Sequence, residues 1–238
     1  MLVIFDLDDT LVDTSGSLLP QLFLSTIEAL KEGGVFLRDE KCAIEMLKRL
    51  NCAVLSSKES LEEFMEIHEV SKDLVPLALK TLYKSHTFSI HQTPGSIDLL
   101  LELKKRFELI LVTIGEEAVQ KKKLKKANIP PDLFKEIYIC KEKKKVYLEI
   151  LNKFPYPPEK IVVIGDRPVR DLRPAKELGF KTIHIKWGRG LNCQDVRGDV
   201  DYTIYKLSDC EYILRLIENF QESYDHIKPA LSRNDNIS

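Results

Sequence analysis

The sequence predicts an α/β fold, in which a doubly wound, mostly parallel sheet forms the core and carries a small all-helical cap domain. Several short apolar runs, such as 161–164, are continuous rather than alternating, which is typical of strands that are covered on both faces. Strand and helix patterns alternate from about residue 95 to residue 221, as in a parallel sheet with crossover helices. Residues 15–90 break this alternation, since they contain helical patterns and no good strand run.

These patterns also predict the individual elements. Apolar runs predict strands at 2–5, 109–112, 137–139, 161–164 and 182–185, and a weaker one at 202–204. Helical spacing predicts helices after residue 95 and at 116–127, 145–153 and 170–178, and four more in the insert at 17–32, 39–50, 58–70 and 72–85. We therefore expect a Rossmann-like core formed by 1–14 and 91–222, a helical cap at 15–90, and a disordered polar tail at 223–238.

The composition is that of an ordinary globular protein. The 238 residues are 44% hydrophobic and 31% charged, and the formal net charge of −1 gives no reason to expect a nucleic-acid partner or an anionic membrane surface. No apolar stretch approaches the length of a membrane span, and no basic leader precedes the first apolar run. Five cysteines, without a Cys-x-x-Cys pair, indicate reduced thiols. We expect a cytoplasmic protein; its oligomeric state carries no prediction.

Polar side chains follow three of the predicted strands at the point where each strand ends. Asp6 and Asp8 follow the first strand, Thr113 follows the second, and Asp166 and Asp171 follow the fourth. The carboxyl ends of the strands in a doubly wound sheet meet at one edge, where ligands bind. Clustered carboxylates repel one another, and a hard divalent cation with oxygen ligands offsets that cost. The sequence therefore predicts a divalent-cation site at this edge, and Mg²⁺ is the usual choice where few carboxylates share a site with a phosphate.

With these motifs, the chain resembles the phosphatase branch of the haloacid dehalogenase-like superfamily. The family pattern begins with Asp-x-Asp-x-Thr after the first strand, here residues 6–10, and continues with Thr or Ser after the next motif strand, here Thr113. A lysine follows, and then an acidic pair, here Asp166 and Asp171. The resemblance covers residues 1–14 and about 92–221, and it is specific because the four motifs occur in order, each at a strand end.

The resemblance implies a covalent mechanism and a set of site residues. Asp6 would attack phosphorus to form an aspartyl-phosphate, and Asp8 would protonate the leaving oxygen and then activate water. The implied ligands of Mg²⁺ are Asp6, Asp8 through its backbone carbonyl, Asp166 and Asp171. The phosphoryl oxygens would be bound by Thr113, by a lysine, and by groups at Thr10, Ile114 and Gly115. Relatives usually carry Asn at the position of Ile114, so one side-chain contact of the family is missing.

The stretch 141–145 offers four candidates for the family lysine. Lys141 lies 6 residues before Tyr147 and 25 residues before Asp166, which is the spacing found in many relatives. We therefore predict Lys141 as the catalytic lysine, with Lys143 as the second choice for binding substrate and Lys144 as the third. The separate lysine run at 121–126 predicts a solvated helix face.

The sequence thus predicts a Mg²⁺-dependent phosphohydrolase that acts on a small phosphorylated metabolite. A phosphomutase would use the same residues and return the phosphoryl group to the substrate, so this alternative stays open. A 2-haloacid dehalogenase would use the same nucleophile on carbon, where the acid Asp8 is not needed. A binding protein without catalysis would have no use for the full acidic set.

Overall fold

A six-stranded sheet forms the core of the computed structural model, which describes residues 1–53, 57–83, 88–195 and 198–219. The strands are β1 (Leu2–Phe5), β2 (Glu108–Ile114), β3 (Glu136–Cys140), β4 (Ile161–Gly165), β5 (Lys181–Ile185) and β6 (Tyr202–Ile204). Their order is β3-β2-β1-β4-β5-β6, and all neighbouring pairs are parallel. This arrangement confirms the predicted doubly wound α/β fold, and each predicted strand is present.

The central strand β1 shows why continuous apolar runs predicted this sheet. All four of its residues are buried, and their side chains alternate between the two faces. Val3 and Phe5 join the apolar cluster on one face, and Leu2 and Ile4 join the cluster on the other. The strand order reverses at β1, which pairs with β2 on one side and β4 on the other, so the crevice at its carboxyl end is a switch point for ligand binding.

The described helices either cover the two faces of the sheet or form the insert. They are α1 (Leu19–Glu32), α2 (Glu40–Ala53), α3 (Ser57–Ile67), α4 (Val75–Tyr83), α5 (Ser96–Lys104), α6 (Glu117–Lys126), α7 (Lys143–Lys153), α8 (Arg173–Lys176) and α9 at 209–219. Leu99, Leu124 and Leu214 pack α5, α6 and α9 on one face, whereas Val146 and Ala175 pack α7 and α8 on the other. None of the described helices is long and apolar enough to cross a membrane.

The four helices of the insert pack on one another through apolar faces. On α1, Leu22, Phe23, Ile27 and Leu30 are buried at helical spacing, and the helix contacts α2 and α4. The helix predicted at 58–70 ends at Ile67, because Glu69 adopts a φ of 51° that cannot continue a right-handed helix.

Two further predicted helices differ from the observed elements, and one predicted segment lies outside the described residues. The helix predicted at 72–85 begins at Val75, after the 3₁₀ turn Lys72–Leu74. The helix predicted at 170–178 is a five-residue π-helical turn, Pro168–Leu172, followed by the short α8. The tail predicted at 223–238 lies outside the described residues.

The two connections between the sheet and the insert lie side by side. Val12 and Gln92 form an antiparallel bridge, and the Asp13 N–H donates to the His91 carbonyl oxygen at 3.0 Å. This pair of segments, 11–13 and 91–93, is called the connector below. The insert therefore enters and leaves the core at one place, next to the carboxyl end of β1.

Candidate active site

Asp6 stands at the carboxyl end of β1, at the centre of the site. Its N–H donates to the Ile164 carbonyl oxygen at 2.9 Å, so its backbone continues the sheet, and its side chain is buried. The Lys143 Nζ lies 2.5 Å from Asp6 Oδ1 and 2.9 Å from Asp171 Oδ1. Burial raises the pKa of Asp6 to about 7, although Lys143 opposes this shift.

The structure places Lys143, rather than the preferred Lys141, against these carboxylates. Lys143 is the first residue of α7 and only 2% exposed, whereas Lys141 is exposed at the rim of the same cavity. Lys144 points to the surface, where its Nζ lies 2.6 Å from a Glu177 oxygen. The sequence spacing favours Lys141, whereas the first turn of α7 places the Lys143 Nζ between Asp6 and Asp171.

Three buried carboxylates form a group that fits a divalent cation. Oxygen atoms of Asp6, Asp166 and Asp171 lie within 4.8 Å of one another. Among the described residues, both carboxylate oxygens of Asp166 are buried and lack a hydrogen-bond partner. Burial raises the pKa of Asp166 well above its usual value, even though the Arg189 charge opposes the shift. A buried carboxylate without a donor is costly, and a bound cation would satisfy it.

Two glycines allow the acidic side chains to come this close. A Cβ at Gly165 would lie 2.7 Å from Asp171 Cβ, and a Cβ at Gly190 would lie 2.9 Å from the Asp166 carbonyl oxygen. Asp171 is further held by the Arg167 N–H, which donates to its Oδ2 at 2.9 Å. A side chain at Gly165 would displace Asp171, and one at Gly190 would clash with the backbone of Ile185 and Asp166.

Asp8 lies two residues after Asp6 in a different environment. It accepts hydrogen bonds from the Thr14 hydroxyl, from Gln120 Nε2 at 2.9 Å and from Lys123 Nζ at 2.6 Å. Burial opposes ionisation of Asp8, but Lys123 and Arg189 outweigh it and hold the pKa of Asp8 well below its usual value. Lys123 is therefore a site residue, and the predicted solvated face of the 121–126 run is wrong at this position.

The carboxyl end of β2 and the glycine after it form a wall of the cavity beside Asp6. Thr113 is buried, and its Oγ1 lies 2.6 Å from Gln120 Nε2. Ile114 and Gly115 line the cavity with it, and Gln120 Nε2 also donates to the Ile114 carbonyl oxygen at 3.1 Å. Thr10 is buried and is not among the cavity-lining residues of the described chain, so the structure gives it no contact with this space.

Asp9 and Arg189 make a second buried ion pair that sequence reasoning missed. Asp9 adopts a φ of 57° and accepts hydrogen bonds from the Ser15 N–H at 2.7 Å and from Arg189 Nε at 2.8 Å. Arg189 Nε also lies 3.9 Å from Asp166 Oδ2. The signal in the sequence is weak: Arg189 follows the fifth strand, which ends at the same edge of the sheet.

These groups surround a cavity of about 490 Å³. The part of its lining that comes from the core is Asp6, Asp8, Thr113, Ile114, Gly115, Glu116, Val119, Gln120, Lys123, Cys140, Lys141, Lys143, Asp166, Arg167, Arg170, Asp171 and Arg189. The insert contributes Thr14, Leu18, Leu19, Leu22, Ser57 and Lys58. The cavity is thus charged on the side of the sheet and largely apolar on the side of α1.

Comparison with known proteins points to one family. A family model described as haloacid dehalogenase-like hydrolase matches residues 3–185. A glyceraldehyde 3-phosphate phosphatase of Pyrococcus furiosus is 26% identical over 216 residues, covering 86% of this chain and 89% of that protein. The corresponding protein of Methanopyrus kandleri is 27% identical over 200 residues, covering 79% and 84%. The crystal structure of a predicted phosphoglycolate phosphatase from Haemophilus somnus has a TM-score of 0.70 and 20% identity, covering 89% of this chain and 96% of that one.

Proposed function

Because the chain belongs to the haloacid dehalogenase-like hydrolase family, we propose that it removes phosphate from a small phosphorylated metabolite through an aspartyl-phosphate on Asp6. The observation that carries this proposal is the meeting of Asp6, Asp166, Asp171 and Lys143 at one strand edge, with ligand atoms close together and almost no exposure. With a divalent cation held by the three carboxylates, such an array would bind an anionic phosphoryl group beside a nucleophilic carboxylate. The curated relatives are named as phosphatases, which favours this chemistry over dehalogenation.

The chemistry then follows from the positions of the side chains. In the first step an Asp6 oxygen bonds to phosphorus while the bond from phosphorus to the ester oxygen breaks, and Asp8 gives its proton to that oxygen. In the second step water attacks phosphorus, Asp8 takes a proton from the water, and the bond to Asp6 breaks to release phosphate. The contacts from Lys123 and Gln120 match the ionised Asp8 that acts as base in this second step.

We propose Mg²⁺ as the cofactor, held by the carboxylates of Asp6, Asp166 and Asp171 and by the Asp8 carbonyl. The unpartnered oxygens of Asp166 support this assignment, because a hard cation with oxygen ligands would satisfy them. The bound cation would supply positive charge that lets an anionic carboxylate approach an anionic phosphate. Lys143 would hold Asp6 in place and bind a phosphoryl oxygen.

We propose that residues 15–90 act as a cap that selects the leaving group. Leu18, Leu19 and Leu22 of the insert face the cavity opposite the acidic group, together with Lys58. A body whose two chain connections to the core lie side by side at the connector can pivot over the site, excluding water in the first step and admitting it in the second. The apolar wall suits a compact leaving group with few hydroxyls, and a three-carbon phosphate such as glyceraldehyde 3-phosphate is the first candidate to test.

The cellular setting proposed here is the cytoplasm. All five cysteines are free in the described structure, as is typical of a reducing compartment. The proposed partner is the small phosphorylated substrate, with no nucleic acid and no membrane surface involved.

The test is phosphate release from a panel of phosphorylated metabolites, measured with Mg²⁺ and after removal of metal with EDTA. We expect release of inorganic phosphate from at least one small metabolite, dependent on Mg²⁺. Isomerised sugar phosphate without free phosphate would instead indicate a phosphomutase. Full activity after exhaustive chelation would contradict the metal assignment, and no activity on any phosphate ester would contradict the proposed function.

A further inference from the structure

We propose that Gln120 is a positioning residue, which aims the Thr113 hydroxyl at the transferring phosphoryl group. Gln120 lies on α6, is only 1% exposed and lines the cavity. Its Nε2 lies 2.6 Å from Thr113 Oγ1, 2.9 Å from Asp8 Oδ2 and 3.1 Å from the Ile114 carbonyl oxygen. One carboxamide thus touches two residues of the proposed phosphohydrolase site, on which this inference rests.

The chemistry of these neighbours fixes the orientation of the amide. A carboxylate oxygen and a backbone carbonyl oxygen can only accept, so the nitrogen of Gln120 must face Asp8 and Ile114. The same nitrogen is nearest to Thr113 Oγ1, and it has no lone pair to offer. Two N–H groups serve three oxygens, so one N–H is shared, and the Thr113 hydroxyl can only accept from this nitrogen.

An accepting hydroxyl keeps its own proton for another partner. Among the described residues, the Thr113 hydroxyl has no recorded acceptor for that proton, although its side chain is buried at the cavity wall. A buried donor without an acceptor is costly, so the arrangement favours an oxygen that arrives with the substrate. The cavity next to Asp6 is where a phosphoryl oxygen would lie.

Gly115 makes room for this arrangement. A Cβ at this position would lie 3.1 Å from Gln120 Cδ and 3.2 Å from its Cγ, closer than side-chain carbons normally approach. Gly115 therefore lets the Gln120 side chain pass beneath the loop after β2 and reach Thr113. Lys123 lies three residues later on α6 and binds the other Asp8 oxygen. The loop after β2 and helix α6 thus act together around the proposed phosphoryl position.

A double-mutant cycle tests the inference. We would prepare Thr113→Val, Gln120→Met and the double variant, and measure the inhibition constant of inorganic phosphate together with kcat. Phosphate inhibition isolates Thr113 from Asp8, because Asp8 acts on the leaving oxygen. We expect Thr113→Val and Gln120→Met each to weaken phosphate binding by about 10- to 100-fold. In the double variant, adding Gln120→Met should cost less than about 3-fold more, because the two residues act through one hydrogen bond.

A matched variant and a second substitution guard against general damage. Thr182→Val removes a buried hydroxyl on β5, which donates to the Asp199 carbonyl oxygen at 2.9 Å away from the cavity, and should leave phosphate inhibition unchanged. If Gln120→Met does not fold, Gln120→Ala gives the same test, because it also removes the donor to Thr113 and adds no charge beside Asp8. Additive losses, or unchanged phosphate inhibition in the Gln120 variants, would overturn the inference. The proposed function would still stand if the wild-type protein hydrolyses phosphate esters.

Discussion

Asp6 and Asp8 lie on one short loop, yet their surroundings drive their pKa values apart. Burial raises the pKa of Asp6 to about 7, whereas the Lys123 and Arg189 charges outweigh burial at Asp8 and hold its pKa well below the usual value. In the proposed reaction Asp6 must be ionised and Asp8 must carry a proton in the first step. A cation bound at Asp6 would lower the pKa of Asp6, and a phosphate anion beside Asp8 would raise the pKa of Asp8, so the two carboxyls can take different tasks once the site is loaded. Asp6 lies next to Asp166, Asp171 and Lys143, whereas Asp8 faces α6 and the start of the insert.

The first prediction separates these tasks. Asp6→Asn should lower kcat by at least about 10⁴-fold, because an amide is not a nucleophile that can form the acyl phosphate. Asp8→Asn should keep measurable transfer to Asp6 from an aryl phosphate, whose leaving group does not need a proton. Stopped-flow release of the aryl alcohol measures both. Asp98→Asn, on the exposed first turn of α5, is the matched control and should behave as wild type.

The second prediction concerns the two lysines. Lys143→Met should lower activity by about 100-fold or more, because it removes the cation that lies between Asp6 and Asp171. Lys141→Met, at the exposed rim, should change kcat/KM by less than about 5-fold, as its charge is screened by solvent. Both are measured by phosphate release, with thermal melting as a check on folding. The reverse ranking of the two variants would return Lys141 to the catalytic position.

At the scale of elements, strand ends could be predicted from the sequence, but the facing of helices could not. The motif acids follow continuous apolar runs, so the edge where Asp6, Asp166 and Thr113 meet follows from the parallel sheet alone. The choice of Lys143 over Lys141 depends on how the first turn of α7 is rotated against β1. The same holds for α6, where Gln120 and Lys123 turn inward although the helix is mostly charged in sequence. Tertiary packing decides how each helix is rotated about its axis, and the local sequence pattern does not contain that information.

The third prediction tests the wall that α1 contributes. Leu22 is buried in the apolar face and lines the cavity, so Leu22→Ala should change the ratio of kcat/KM between two substrates by about 10-fold or more. Inhibition by inorganic phosphate should not change, because phosphate binds at the sheet edge. Leu24→Ala on the same helix is the control, since Leu24 is 42% exposed and not part of the lining. Equal loss for all substrates would place the Leu22 effect in folding rather than in selection.

For the whole molecule, the apolar core and the acidic site have opposite effects on stability. The core cluster runs without a break from the sheet through the connector into the insert, so the two parts support each other. The acidic group works against folding, because its carboxylates are buried close together. A bound cation would relieve this cost, which links the stability of the entire chain to metal and pH.

The fourth prediction follows from that link. The pKa of Asp6 rises from 3.8 to about 7 in the folded protein, so without metal the folded state binds protons more tightly than the unfolded state between these values. Stability of the metal-free protein should therefore fall as pH rises through this window. Mg²⁺ competes with the proton for the same oxygens, so it should raise Tm more at pH 8 than at pH 5.5.

Thermal melting at both pH values, with and without Mg²⁺, measures this effect. Asp166→Asn removes the carboxylate whose oxygens lack partners in the described structure, and it should abolish most of the Mg²⁺ shift. The same shift at both pH values, or a full shift in Asp166→Asn, would contradict the assignment of these acids as ligands.

The connector has a consequence for how such a chain could evolve. Segments 11–13 and 91–93 run side by side and are tied by the Asp13 to His91 hydrogen bond, so the ends of the insert are already close together in space. An insert with adjacent ends can be lengthened, shortened or exchanged with the insert of a relative without altering the strand order. Recombination at the connector would combine a new insert, and so a new apolar wall of the cavity, with an unchanged sheet edge. A short turn in place of the insert would leave the sheet continuous.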